Sequence, residues 1–141
     1  MAIAKRVAWG VLAGIFTILA GFSQAQGDAP TRDIVETVLK SSWNREATDF
    51  TPRAELTLND VRFGKSYRAT LRDTQIDRIP EGAMVTPAIV DFTVRTFYTD
   101  QTQAIRRQRE ARVYQDNMGD WAVMTGSVKG QDTTTSEPAA P

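Results

Sequence analysis

Residues 88–98 read AIVDFTVRTFY, and this alternation constrains the chain more than any other feature in it. Ala88, Val90, Phe92 and Val94 share one side, while Asp91, Thr93 and Arg95 share the other. Successive side chains of a strand point to opposite faces, so the segment is expected to lie with one face on a core and one toward water. TDQT then suits a hairpin, and it leads into IRRQREARVY, residues 105–114, where four arginines interrupt a second strand-like pattern. An antiparallel sheet with one apolar face is the expected foundation.

The flanking segments add to that sheet. AELTLNDVRF alternates Ala54, Leu56 and Leu58, then resumes at Val61 and Phe63, and a bulge at Asn59–Asp60 reconciles the change of parity. YRATLRDTQI is expected to be a second, more polar strand, and IPEG at 79–82 a turn. DNMGD, 116–120, closes a hairpin into WAVMTG, 121–126. Upstream, TRDIVETVLKSSWNRE places Ile34, Val35, Val38 and Leu39 at helical spacing, with Asp28 or Thr31 as the cap and Asp33 in the first turn. This stripe is expected to pack on the sheet. Trp43 and Trp121 are expected in the core rather than as ligand platforms. The fold class is therefore α+β: one N-terminal amphipathic helix on a curved antiparallel sheet of four to five strands.

The first thirty residues set the expected address. Lys5 and Arg6 precede an uncharged run from Val7 to Phe22, and Ser23-Gln24-Ala25 offers small residues for cleavage before Gln26. That is the pattern of a secretory signal peptide over residues 1–25. The alternative is an uncleaved inner-membrane anchor over residues 7–22, although a span wants about 20 apolar residues and this run is short and glycine-dotted. Both readings export the remainder, to the periplasm or the extracellular space. Residues 26–129 are expected to form a single domain. The small, polar and proline-terminated residues 130–141 are expected to be a disordered tail.

Without residues 1–25 the chain keeps fifteen basic residues, twelve of them arginine, against seventeen acidic ones. Such a near-neutral balance argues against nucleic acid as a partner, which rewards a basic excess. The chain has no histidine and no cysteine. That removes Ser-His-Asp and Cys-His nucleophiles, Cys/His zinc sites and disulfides. No metal, cofactor or catalytic residue is assigned, and an exported protein without disulfides suits a bacterial envelope. Asp73 and Asp77 lack the spacing of a calcium loop.

One amphipathic helix followed by about four long antiparallel strands, ending in DNMGDWAVMTG, resembles the cystatin-like and nuclear-transport-factor-2-like α+β folds over residues 31–128. The resemblance implies a sheet that curls around the helix like a cone. Enzymatic members resemble ketosteroid isomerases, which use a tyrosine and aspartates in the cone. Those positions have no match here, so none is carried over.

A two-residue loop at Asp100–Gln101 would place Thr96 opposite Ile105, Val94 opposite Arg107 and Phe92 opposite Arg109. Arg107 and Arg109 then fall on the apolar side, and Arg106 and Arg112 on the outer side with Asp91, Arg95 and Glu110. This register sets Arg95 against Arg106 and Asp91 against Glu110, two unfavourable like-charge pairs, and puts Arg112 diagonal to Asp91. Arg107 and Arg109 are the candidate ligand-binding residues, because paired guanidiniums at a cone mouth could grip a carboxylate or phosphate. A slip of one residue would turn both outward instead, and long side chains can also snorkel to solvent. Three functions follow: an exported non-enzymatic domain that binds a protein partner in the envelope, a binder of small anionic ligands at Arg107 and Arg109, or a cofactor-free isomerase or lyase.

Overall fold

A computed structural model describes residues 29–139. The expected signal peptide over residues 1–25, and the alternative anchor over 7–22, lie outside the described residues. Among the described residues no helix is long and apolar enough to cross a membrane.

Helix α1 spans Arg32–Trp43. Thr31 caps it, its hydroxyl accepting the Ile34 N–H at 3.3 Å, with Asp33 in the first turn and Lys40 in the last. Val35 and Leu39 are its buried residues. Two polar contacts hold the helix over the first strand, β1 (Arg53–Phe63): Arg32 donates to the Leu58 carbonyl at 2.7 Å, and Asn44 accepts the Leu56 N–H at 2.7 Å. The other elements are β2 (Tyr67–Arg68), α2 (Leu71–Asp77), β3 (Met84–Phe97), β4 (Gln101–Gln115), β5 (Trp121–Val128) and β6 (Thr133–Pro138).

Among the described residues the strands form one antiparallel sheet, mixed with two helices as an α+β fold. Six strands appear where four to five were expected. β3 and β4 occupy the middle, paired over twelve positions. β1 and β2 follow one another along the free side of β3, and β5 and β6 follow one another along the free side of β4. The sheet is thus four rows wide, with each outer row broken once. β1 carries the expected bulge, its register shifting between Leu58 and Asp60.

On the inner face, Ala54, Leu56, Leu58, Ala88, Val90, Phe92, Val94, Ala111 and Val113 join Val35 and Leu39 in one buried cluster. Trp43 packs against it with its ring 5.8 Å from that of Phe92, and Trp121 lies at the margin. The outer face carries a smaller cluster of Ile79, Val85 and Tyr114.

Two expectations fail. YRATLRDTQI is not a strand: β2 covers only its first two residues, and the chain then turns into α2. The cause is a capping box. Thr70 accepts the Asp73 N–H at 3.2 Å, and the Asp73 carboxylate accepts the Thr70 N–H at 2.7 Å, which satisfies two donors at the helix start. The C-terminal segment is not a disordered tail either, because Thr133–Pro138 pairs with Gln101–Arg106. A sequence without large apolar residues cannot build a core, but an edge strand needs only its backbone groups, and three threonines suit it.

Phe92 is 1 % exposed at the centre of the inner cluster. Phe92→Ala is expected to cost about 3–5 kcal/mol, read from denaturant unfolding. A loss below about 1 kcal/mol would place the core elsewhere.

Candidate functional site

The register of β3 on β4 positions the arginines. Phe97 faces Thr102 and Tyr98 donates its N–H to the Gln101 carbonyl at 2.8 Å, so the two-residue loop is Thr99–Asp100 rather than Asp100–Gln101. The shift moves every pairing by two positions and therefore keeps each side chain on its face. Val94 faces Ile105, Phe92 faces Arg107 and Val90 faces Arg109. It also removes both like-charge pairs, since Arg95 now faces Ala104 and Asp91 faces Gln108.

On the outer face Arg106, not Arg112, pairs with Asp91. The Arg106 Nε and Nη2 donate to the two oxygens of Asp91 at 3.0 and 2.6 Å, and Asn59 donates to the same carboxylate at 3.2 Å. The hydrogen bond from Arg106 holds the Asp91 carboxyl below the usual carboxylate range, against the desolvation that pushes it up, and Asn59 adds to the lowering. Arg112 instead reaches α2, lying 2.7 Å from the Asp77 carboxylate and 3.3 Å from that of Asp73. These two aspartates, which lack the spacing of a calcium loop, moor a helix to the sheet. Among the described residues no group of three or more metal-ligating side chains converges.

Arg107 and Arg109 lie together on the inner face and converge on one carboxylate. Arg109 is bidentate to Asp132, with Nη1–Oδ1 at 2.8 Å and Nη2–Oδ2 at 2.9 Å, and the Arg107 Nη1 stands 3.5 Å from Oδ2. The hydrogen bond from Arg109 keeps the Asp132 carboxyl below its ordinary range. The Arg107 guanidinium also stacks 5.4 Å from the Trp43 ring centroid. Its Nε is buried without a hydrogen-bond partner. Asp132 sits in the break between β5 and β6, where the chain changes partners along β4. Residue-by-residue reading missed Asp132, because a disordered tail offers no partner. The cue available was an aspartate directly ahead of a β-branched TTT run.

A second feature lies on the outer face. A trough of about 620 Å³ runs across the sheet, lined by residues that include Phe63, Tyr67, Pro87, Ile89, Arg112, Met124 and Gly126. Phe63 and Tyr67 are 39 % and 36 % exposed. A Cβ at Gly126 would meet nothing nearer than the Glu110 carbonyl oxygen at 4.0 Å, so the trough is open there. The buried tyrosine Tyr114 and the buried carboxylate Asp91 do not meet: Asp91 faces Gln108 in mid-strand, and Tyr114 lies near the end of β4.

Comparison with known protein families, with curated proteins and with solved structures finds no match to this chain.

The lowered carboxyls set an acid dependence. A carboxylate whose folded-state pKa is depressed contributes stability above its unfolded value of about 3.9, and that contribution disappears as pH falls through the lower folded value. Stability is expected to hold from neutrality to about pH 5 and to decline below about pH 4. Asp91→Asn lowers the neutral plateau and makes the acid decline shallower. Thermal unfolding of both chains across that range checks it, and an unchanged acid slope in Asp91→Asn would contradict the assignment.

Proposed function

We propose that this chain is an exported, non-enzymatic domain that binds a protein partner of the cell envelope, and that the partner docks in the outer-face trough. The carrying observation is the trough itself: about 620 Å³, with the half-exposed aromatic ring of Tyr67 at its edge. Exposed aromatics beside a concave surface are the usual anchors of protein recognition. Arg112 is already committed to Asp73 and Asp77, while the exposed Arg62 and Glu110 put charge on the trough's lining beside its apolar residues. The apolar run at Val7–Phe22 and the small residues after it support export. One helix over a four-row antiparallel sheet supports a cystatin-like or nuclear-transport-factor-2-like reading of the fold.

The isomerase reading is the weaker one, because the buried tyrosine and buried carboxylate stand apart. The anionic-ligand reading at Arg107 and Arg109 requires Asp132 to give way.

The test uses the full chain in cells, with Tyr67→benzoylphenylalanine as a photo-crosslinking probe. A discrete protein adduct is expected in the envelope fraction, and Gly126→Leu, which fills the trough from an open position, is expected to abolish it. No adduct, or one that persists with Gly126→Leu, would overturn the proposal.

A further inference from the structure

Strand β6 is an unusual closing element. All six of its residues are exposed, and it brings no apolar side chain to the core. What holds it is a backbone ladder to Gln101–Arg106 and one side chain ahead of it, Asp132. The chain reaches that position through Gly130, whose φ of +143° lies where side-chain-bearing residues rarely go, and through the Lys129 N–H bonded to the Gln108 carbonyl at 2.9 Å. The segment brings no apolar side chain to the core, so its release costs little apolar burial.

The receiving surface is better equipped than its occupant. Among the described residues two guanidiniums face a single carboxylate, which leaves one positive charge uncompensated and the Arg107 Nε without an acceptor. Arg107 and Arg109 are 25 % and 14 % exposed, so their charges are only partly solvated. Beside them runs the β4 edge, a row of backbone donors and acceptors that any extended chain can pair with.

We propose that Arg107, Arg109 and the adjoining β4 edge form a binding site for an extended, acidic segment of another protein, and that Asp132 with β6 is a weaker ligand held there in cis. The preferred segment presents two carboxylates on the face toward the arginines: one in place of Asp132, and one two residues on, where Thr134 pairs with Ile105 beside Arg107. Such a segment supplies the second charge and an acceptor for the orphaned Nε. It displaces β6 and adds its own strand in the vacated row. The site lies on the opposite face from the trough and is independent of it.

The test measures binding of labelled synthetic peptides to the full chain by fluorescence anisotropy. One peptide is residues 129–138, KGQDTTTSEP, and the other carries the Thr134→Glu change. The Thr134→Glu peptide is expected to bind at least about tenfold more tightly, and both are expected to bind Asp132→Asn protein more tightly than the natural chain. Arg109→Gln in the protein is expected to remove at least about tenfold, and Gly126→Leu to leave binding unchanged. Equal affinity for both peptides, or binding that survives Arg109→Gln, overturns the proposal.

A second protein covers the event that Asp132→Asn does not fold. Gln103 faces Ser136 across β4 and β6, and the chain has no cysteine, so Gln103→Cys with Ser136→Cys gives a single reversible staple. The reduced form is expected to bind the Thr134→Glu peptide and the oxidised form to lose it. Equal binding in both forms, or failure of the pair to oxidise at all, counts against the closed strand and overturns the proposal.

Discussion

Phe92 opposite Arg107 and Val90 opposite Arg109 are two rungs of the central β3–β4 ladder, and on this register the remaining architecture depends. It sets an unbroken apolar column from β1 through β3 under α1, and it carries that column onto β4 only as far as Ala111 and Val113. Beyond them the inner face of β4 turns to arginine, with Arg107 against Trp43 at the end of the helix. A one-residue slip would have sent Arg107 and Arg109 to water and Arg106 and Arg112 into the core. The Thr99–Asp100 loop prevents it, and by pairing Arg95 with Ala104 and Asp91 with Gln108 it also leaves no like charges directly opposed at those rungs.

Given that register, the four arginines of residues 105–114 act on three different parts of the chain. Arg106 braces the neighbouring strand through Asp91, Arg112 moors α2 through Asp73 and Asp77, and Arg109 with Arg107 secures the route into β6 through Asp132. This distribution explains how a chain of balanced charge tolerates such a local excess. The aspartates are drawn from remote segments to meet it. The pairs also differ in permanence. Asp91 is nearly enclosed and shared with Asn59, whereas Asp132 is partly exposed, lies in a chain break and is outnumbered by its partners. The first kind of contact suits a fixed brace, and the second suits a contact that exchanges.

The sheet could be read from residues because β3 and the first half of β1 obey the two-residue period. Ala54, Leu56, Leu58, Val90, Phe92 and Val94 all bury as their alternation requires. The α1 stripe follows the helical period, and the Asn59–Asp60 bulge follows from the change of parity. Failures arose where periodicity says little. In YRATLRDTQI the decisive feature was the local bonding of Thr70 and Asp73, which outweighs an ambiguous pattern over so short a stretch. In residues 133–138 composition reports on core-forming capacity and is silent on edge pairing, so a strand of polar residues looked like none. The inner placement of Arg107 and Arg109 followed from parity alone, but their partner lay in the segment whose structure was invisible to that reasoning.

The central claim is that Arg109 and Asp132 hold β6 onto β4, and hydrogen exchange on the full chain tests it most directly. In the natural chain, the amides of residues 133–138 that pair with β4 should be protected, well below the level of the β3–β4 ladder. Arg109→Gln should abolish that protection and leave β3 unchanged. If those amides already exchange freely in the natural chain, or if Arg109→Gln leaves them as protected as before, the arginine pair does not secure the strand and the account fails.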